Sequence, residues 1–211
     1  MKLCACIVEL RDIDLKEVFN KHAPFLPDDT TYFLFTKHEL IEKYSNLLPN
    51  INIIPTVFED DSVHCYNLLL TDNGSWFWKH FLDFDRVLIF QHDSGLLRTG
   101  IEEFYEYDFI GAPWYPDQLE YYPHCCNGGL SLRNPKIMLD ISKQYFWERN
   151  MGEDMYFTRH MVDNKIGKLS PYDIAKKFSV ETIFELGTFG YHKPWYYLQS
   201  SQWEQIKNQY K

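Results

Sequence analysis

The chain predicts an α/β fold: one domain built on a doubly wound, mostly parallel central sheet flanked by helices. Three observations predict it. Short β-rich runs alternate with helical patterns through the first half of the chain, a βαβαβ rhythm that calls for crossover connections and hence parallel strands. Val87-Leu88-Ile89-Phe90 is an unbroken apolar run of strand length. The length of 211 residues suits one such domain, is short for two, and suffices for a full core.

The elements follow in order. Residues 2–10 read as a first buried strand, and Asp14 caps a helix that starts at Leu15. Thr31 to Phe35 is a second strand, His38 to Leu48 a helix, and Ile51 to Val57 a third strand. Ser62 caps the next helix, in which Val63, Tyr66 and Leu70 share one face. Asn73-Gly74 interrupts it before a second helical piece from Trp76 to Phe81. Asp85 to Phe90 is a strand ending at Gln91-His92-Asp93, where ligands of open parallel sheets bind. Asp108 to Trp114 is a strand running into a turn, and Tyr115 to Cys126 is a Tyr- and Pro-rich loop read as a functional cover. Gly128 to Arg133 is a strand, and Pro135 is the first residue of a helix. Gly152 precedes another helix, Ser179 to Phe184 is a strand, and Ser201 to Gln209 is a final polar helix.

Composition removes several functions. The net charge of −9 comes with no basic run, so nucleic acid, which is held through phosphate contacts from Lys and Arg, is not an expected partner. An acidic protein that holds a diphosphate needs a metal or a few placed cations. Five cysteines form neither a disulfide framework nor zinc-finger spacing, which suits reduced thiols and a cytoplasmic location. The short apolar N-terminus reads as a strand rather than a signal peptide. No apolar run reaches the ~18 residues of a membrane span. Asn73-Gly74-Ser75 matches a glycosylation acceptor, but without a secretory signal no modification is expected.

Four segments carry chemistry. Asp93 offers an oxygen ligand to a hard divalent cation, although a lone Asp after a strand also serves as a turn residue. Strand alternation points His92 away from it. His192-Lys193-Pro194-Trp195 offers an imidazole for a metal and an ammonium for phosphate, or else an ordinary surface turn. Glu153 and Asp154 open a helix, where adjacent side chains diverge by roughly 100°. Asp154 shares its face with Phe157 and Met161, so it meets the sheet as a candidate general base, or simply favours the helix dipole. Asn127-Gly128-Gly129 allows close backbone approach to a ligand or a tight turn. Neither a Walker loop, a G-x-G-x-x-G nor a G-x-S-x-G elbow is present.

Together these segments resemble GT-A-fold glycosyltransferases, which use nucleotide-sugar donors and usually Mn²⁺ or Mg²⁺. The resemblance is carried by Phe90–Ser94, Ile110–Trp114, Asn127–Arg133, Glu153–Phe157, Phe178–Glu181 and Phe189–Trp195. Their order is consistent from about Asn67 to Trp195 and is that of a small domain family with Gln-x-Asp and His-Lys-Pro-Trp segments. A glycosyltransferase domain encoded by chlorella viruses is also similar.

The resemblance implies a single GT-A-like domain, with residues 1–98 as the nucleotide-binding half and 99–211 as the acceptor and catalytic half. Asp93 and His192 would hold the metal. Gln91 stands where the family's Asp-x-Asp motif has its first acid, a departure that removes one charge. Lys193 would touch the diphosphate. The end of the first strand, from Glu9 through Leu10 to Arg11, would hold the base. Asn127, Gly128 and Gly129 would line the sugar pocket, and Trp114 the acceptor side. Asp154, of the Glu153–Asp154 pair, would act as base in an inverting transfer of a hexose or deoxyhexose from a UDP-sugar to a glycan or glycoprotein acceptor.

Three rivals share parts of this pattern. A sugar nucleotidyltransferase needs a Gly-rich loop near the first strand, and residues 8–16 contain no glycine. A catalytically inactive nucleotide-sugar or glycan-binding module is compatible with Gln91. A metal-dependent hydrolase would cleave donor without stimulation by an acceptor.

Overall fold

A computed structural model describes residues 1–58, 62–115 and 126–210. Apart from its two end residues, the loop expected at Tyr115 to Cys126 lies outside the described residues. The chain opens with strand β1 (Leu3–Val8) and helix α1 (Leu15–Asn20). The Asp14 carboxylate accepts from the backbone N–H groups of Lys16 and Glu17, which satisfies two of the helix's orphan donors. Strand β2 (Thr31–Thr36) leads through a 3-10 turn at His38–Leu40 into α2 (Ile41–Leu47), then β3 (Asn52–Pro55). Ser62 caps α3 (Val63–Leu70). Helix α4 (Gly74–Phe77) tightens into a 3-10 turn at Trp78–Phe81 before β4 (Arg86–Phe90) and the short β5 (Ser94–Leu96).

The second half runs β6 (Phe109–Pro113), β7 (Cys126–Arg133), α5 (Pro135–Gln144), α6 (Glu153–Asn164) and α7 (Tyr172–Phe178). It closes with β8 (Ser179–Val180), β9 (Gly190–His192) and α8 (Ser200–Asn208).

Six strands form one sheet in the order β3-β2-β1-β4-β7-β6. The β1–β2, β2–β3 and β1–β4 pairs are parallel, as the crossovers require. Strand β7 runs antiparallel to both β4 and β6. The sheet is therefore mixed, with three parallel pairings and two antiparallel ones, both at β7. Nearly every residue of β7 is buried, so its apolar pattern carries no sign of its direction.

Apolar side chains alternate across the sheet. Leu88 and Phe90 pack on one face with Phe19, Phe104 and Phe178. Val87 and Ile89 pack on the other with Trp78, Phe81 and Phe157.

A second sheet of three strands, β5-β9-β8, was not expected from the sequence. Ser94 pairs with His192 in antiparallel register. This pairing brings residue 93 beside residues 192 and 193 across a hundred positions of chain. Of the strand expected at Ser179 to Phe184, only Ser179–Val180 forms. Among the described residues no helix is long and apolar enough to cross a membrane.

Candidate functional site

Beyond the ends of β1 and β4 lies a cleft of two adjoining lobes, with volumes of about 250 and 180 Å³. The first lobe is lined by Leu10, Arg11, His92 and Asp93 among others. The second is lined by Asn127, Gly128, Gly129, Glu153, Asp154 and His192 among others. Val63, Tyr66, Gln91 and Lys193 line both. Apart from Trp114, the candidate residues therefore meet around one continuous space.

The turn after β4 is fixed locally. Ser94 Oγ donates to the Gln91 carbonyl at 2.7 Å, His22 Nε2 lies 3.0 Å from the same hydroxyl, and Gln91 N donates to Gly129 O at 2.9 Å. Lys193 N donates to Asp93 O at 2.9 Å, tying the two segments together. Lys193 itself has φ 35° and ψ 45°, a left-handed conformation that is strained for a residue with a side chain.

His192 is almost fully buried, with Nε2 3.2 Å from Asp93 Oδ1 and 3.1 Å from Gln91 Oε1. Asp93 Oδ1 is buried and makes no hydrogen bond among the described residues. Ligand atoms on adjacent positions of a small divalent cation stand about 3 Å apart. A carboxylate oxygen, an imidazole nitrogen and an amide oxygen at this spacing fit such a cation. Among the described residues no three His, Cys, Asp or Glu side chains cluster as a metal site, so the set consists of two such ligands and a neutral amide.

The other imidazole nitrogen, Nδ1, faces the buried Glu181 carboxylate at 3.1 Å, out of hydrogen-bonding alignment. Glu181 also lies 3.8 Å from Lys193 Nζ. Burial works against charge on His192, but Asp93 and Glu181 outweigh it and raise its pKa. Burial likewise opposes ionisation of Asp93, yet the His192 contact outweighs it and brings that carboxyl down to about 2.

The second lobe rests on an ion pair. Arg133 is fully buried, and its guanidinium holds both Glu153 oxygens, at 2.5 and 2.9 Å. The planar fork matches the carboxylate. Its central carbon lies 4.4 Å from the Phe109 ring centre, a cation–π contact. Gly128 is small because a Cβ there would lie 2.0 Å from Glu153 Oε1. A Cβ at Gly129 would lie 2.2 Å from His192 Nε2. The paired glycines thus admit the ion pair and the imidazole as well as lining the lobe.

Asp154 has no cation on its oxygens among the described residues: its Oδ1 accepts from Met155 N at 2.8 Å. Its Oδ2 accepts from Gly128 N at 3.1 Å. Burial and the neighbouring Glu153 charge raise its pKa to about 7.

In the first lobe the buried Glu9 carboxylate receives Arg11 Nε at 2.8 Å and Nη2 at 2.7 Å, and the same Nη2 lies 2.8 Å from His92 Nδ1. His92 is therefore turned into the cleft, 3.9 Å from Asp93 Oδ1. The expectation that it points away is corrected. Strand β4 ends at Phe90, so alternation no longer governs position 92. Trp114, assigned to an acceptor side, follows β6 and lines neither lobe, and its Nε1 is buried without a partner among the described residues.

Tyr66, Arg133 and Glu181 escaped the sequence reading as site residues, whereas Glu9 was expected beside Leu10 and Arg11 at the end of the first strand and does line the first lobe. Glu181 is an acid beside an apolar strand run, and a buried charge of that kind requires a partner. That was the one available signal.

A family model described as "Protein of unknown function (DUF5672)" matches residues 50–192, more than half of the chain. No curated protein matches the chain. The matched span contains Asp93, Arg133, Asp154, Glu181 and His192, and it leaves Leu10, Arg11 and Lys193 outside.

Proposed function

The chain belongs to the DUF5672 family, and we propose that its cleft is the donor site of a metal-dependent, GT-A-like glycosyltransferase. In this reading it moves a hexose or deoxyhexose from a UDP-sugar to a hydroxyl of a glycan or glycoprotein acceptor in the cytoplasm. One observation carries it: a metal-fitting Asp93–His192 pair, the Lys193 ammonium and a carboxyl of pKa about 7 at Asp154 border one cleft.

Asp93 and His192, with Gln91 as a neutral oxygen, would hold Mn²⁺ or Mg²⁺, which supplies positive charge for the leaving diphosphate. Lys193 adds a second positive charge at the waist between the lobes. The Glu9–Arg11–His92 cluster and Leu10 border the lobe assigned to the nucleoside. Asn127, Gly128 and Gly129 border the lobe assigned to the sugar. Asp154 takes the proton of the acceptor hydroxyl as its oxygen attacks the anomeric carbon from the face opposite the leaving group. The sugar's configuration is thereby inverted. A carboxyl of pKa about 7 suits that role at neutral pH.

Gln91 favours a second reading, a nucleotide-sugar or glycan-binding module without turnover, because it removes one charge from the metal shell.

Calorimetric titration of UDP and UDP-sugars with Mn²⁺ or with EDTA tests the donor site. Binding is expected to require the metal and to be lost in Asp93→Ala. Binding of no nucleotide by folded protein would remove the donor-site assignment. Sugar release or transfer, followed with and without acceptor glycans, separates a transferase from a hydrolase and from a silent module. A product of retained configuration would remove Asp154 from the base role.

A further inference from the structure

Tyr66 has no part in the chemistry above, yet it lies at the middle of the cleft. It sits on α3 between Ser62 and Leu70 and lines both lobes, as do Gln91 and Lys193. Its hydroxyl oxygen is buried and has no hydrogen-bond partner among the described residues. The Gln91 side chain is near it without hydrogen-bonding alignment, and Glu153 and Arg133 are within electrostatic reach. Native proteins leave few buried polar atoms unpaired, and each such atom calls for a specific reason.

A tyrosine hydroxyl, with an ordinary pKa of about 10, is an O–H donor throughout the neutral range. At the waist the Tyr66 hydroxyl and the Lys193 ammonium both offer donors, beside the Gln91 amide, and an anionic oxygen is the partner that satisfies both.

We propose that Tyr66 is a ligand-binding residue whose hydroxyl donates a hydrogen bond to a phosphoryl oxygen of a bound nucleoside diphosphate where the two lobes meet. This rests on the donor-site reading above and deepens it by naming the contact at the diphosphate. An unpaired hydroxyl also destabilises the empty protein, so its removal leaves the fold no weaker.

The test is Tyr66→Phe, which deletes one oxygen and keeps the ring. Calorimetry with Mn²⁺ and either UDP or UDP-glucose is paired with thermal melts of the ligand-free protein. The expected result is affinity about tenfold weaker for both ligands, the size of one hydrogen bond to a charged group, with a melting temperature unchanged or raised.

Unchanged affinity for UDP overturns the proposal. A loss confined to UDP-glucose overturns it too, by moving the contact to the sugar. A melting temperature several degrees lower overturns it by revealing an internal partner. If wild-type protein binds no UDP, the donor reading itself falls and this contact with it. Wild-type binding matched by the variant removes Tyr66 alone.

Discussion

At the scale of single residues, Asp154 shows how place shifts an ordinary carboxyl. Burial and the adjacent Glu153 raise it to about 7, against the lowering effects of the Met155 and Gly128 N–H groups and of Arg133. The proposed transfer needs the ionised form, so kcat/KM is expected to rise with pH and level off above about 7. Asp154→Asn should remove that limb and lower the rate by about a hundredfold or more. Stability moves the other way. A carboxyl whose folded pKa lies above its unfolded value of about 3.9 contributes its full stability below that value. That contribution is lost as pH rises through about 7. Asp154→Asn should therefore raise the melting temperature more at pH 8 than at pH 5. Melts showing the reverse order would mean that Asp154 is not buried as an uncomfortable charge.

At the scale of elements, the pieces with strong local signals were legible in the sequence. Asp14 and Ser62 cap the helices they were expected to cap, because a short polar side chain before an apolar periodic run has few other uses. The β5-β9-β8 sheet was not legible, since strands of two or three residues are too short to show alternation. The direction of β7 was hidden by burial on both faces. The site divides likewise. Asp93 and His192 stood out as ligand types, whereas Arg133 and Glu181 lay in segments read for their resemblance alone, with no sign of the buried contacts they make to Glu153 and His192.

The junction of β7 and β9 gives the matching prediction. Gly129 has no positive φ, so alanine there meets no backbone strain, only the imidazole 2.2 Å from its Cβ. Gly129→Ala should cost roughly 1–3 kcal/mol of stability, as overpacking does. It should also weaken Mn²⁺-dependent UDP binding by displacing His192. Thermal melts and calorimetry on one variant read both effects, and intact binding would show that the ring position is not critical.

At the scale of the whole molecule, the stretch that carries the family match is not the stretch that folds. The match begins at residue 50, yet β1 and β2 lie before it and hold the sheet together. Strand β1 stands between β2 and β4, and β3 joins the sheet only through β2. Strand β1 also leads into Glu9 and Arg11, which line the first lobe. A fragment of residues 50–211 would expose the inner edge of β4, leave β3 without a partner and strip Leu88 and Phe90 of Ala5, Ile7 and Phe19 in their cluster. An unpaired inner strand edge is a template for aggregation. The fragment is therefore expected to show no cooperative melt and to associate in solution, whereas the full chain melts in one transition. Circular dichroism melts and sedimentation of the two proteins decide the point. A fragment that melts cooperatively as a monomer would mean that β4, β7 and β6 with their helices form a unit of their own. The first lobe would then be an addition to that unit rather than part of its core.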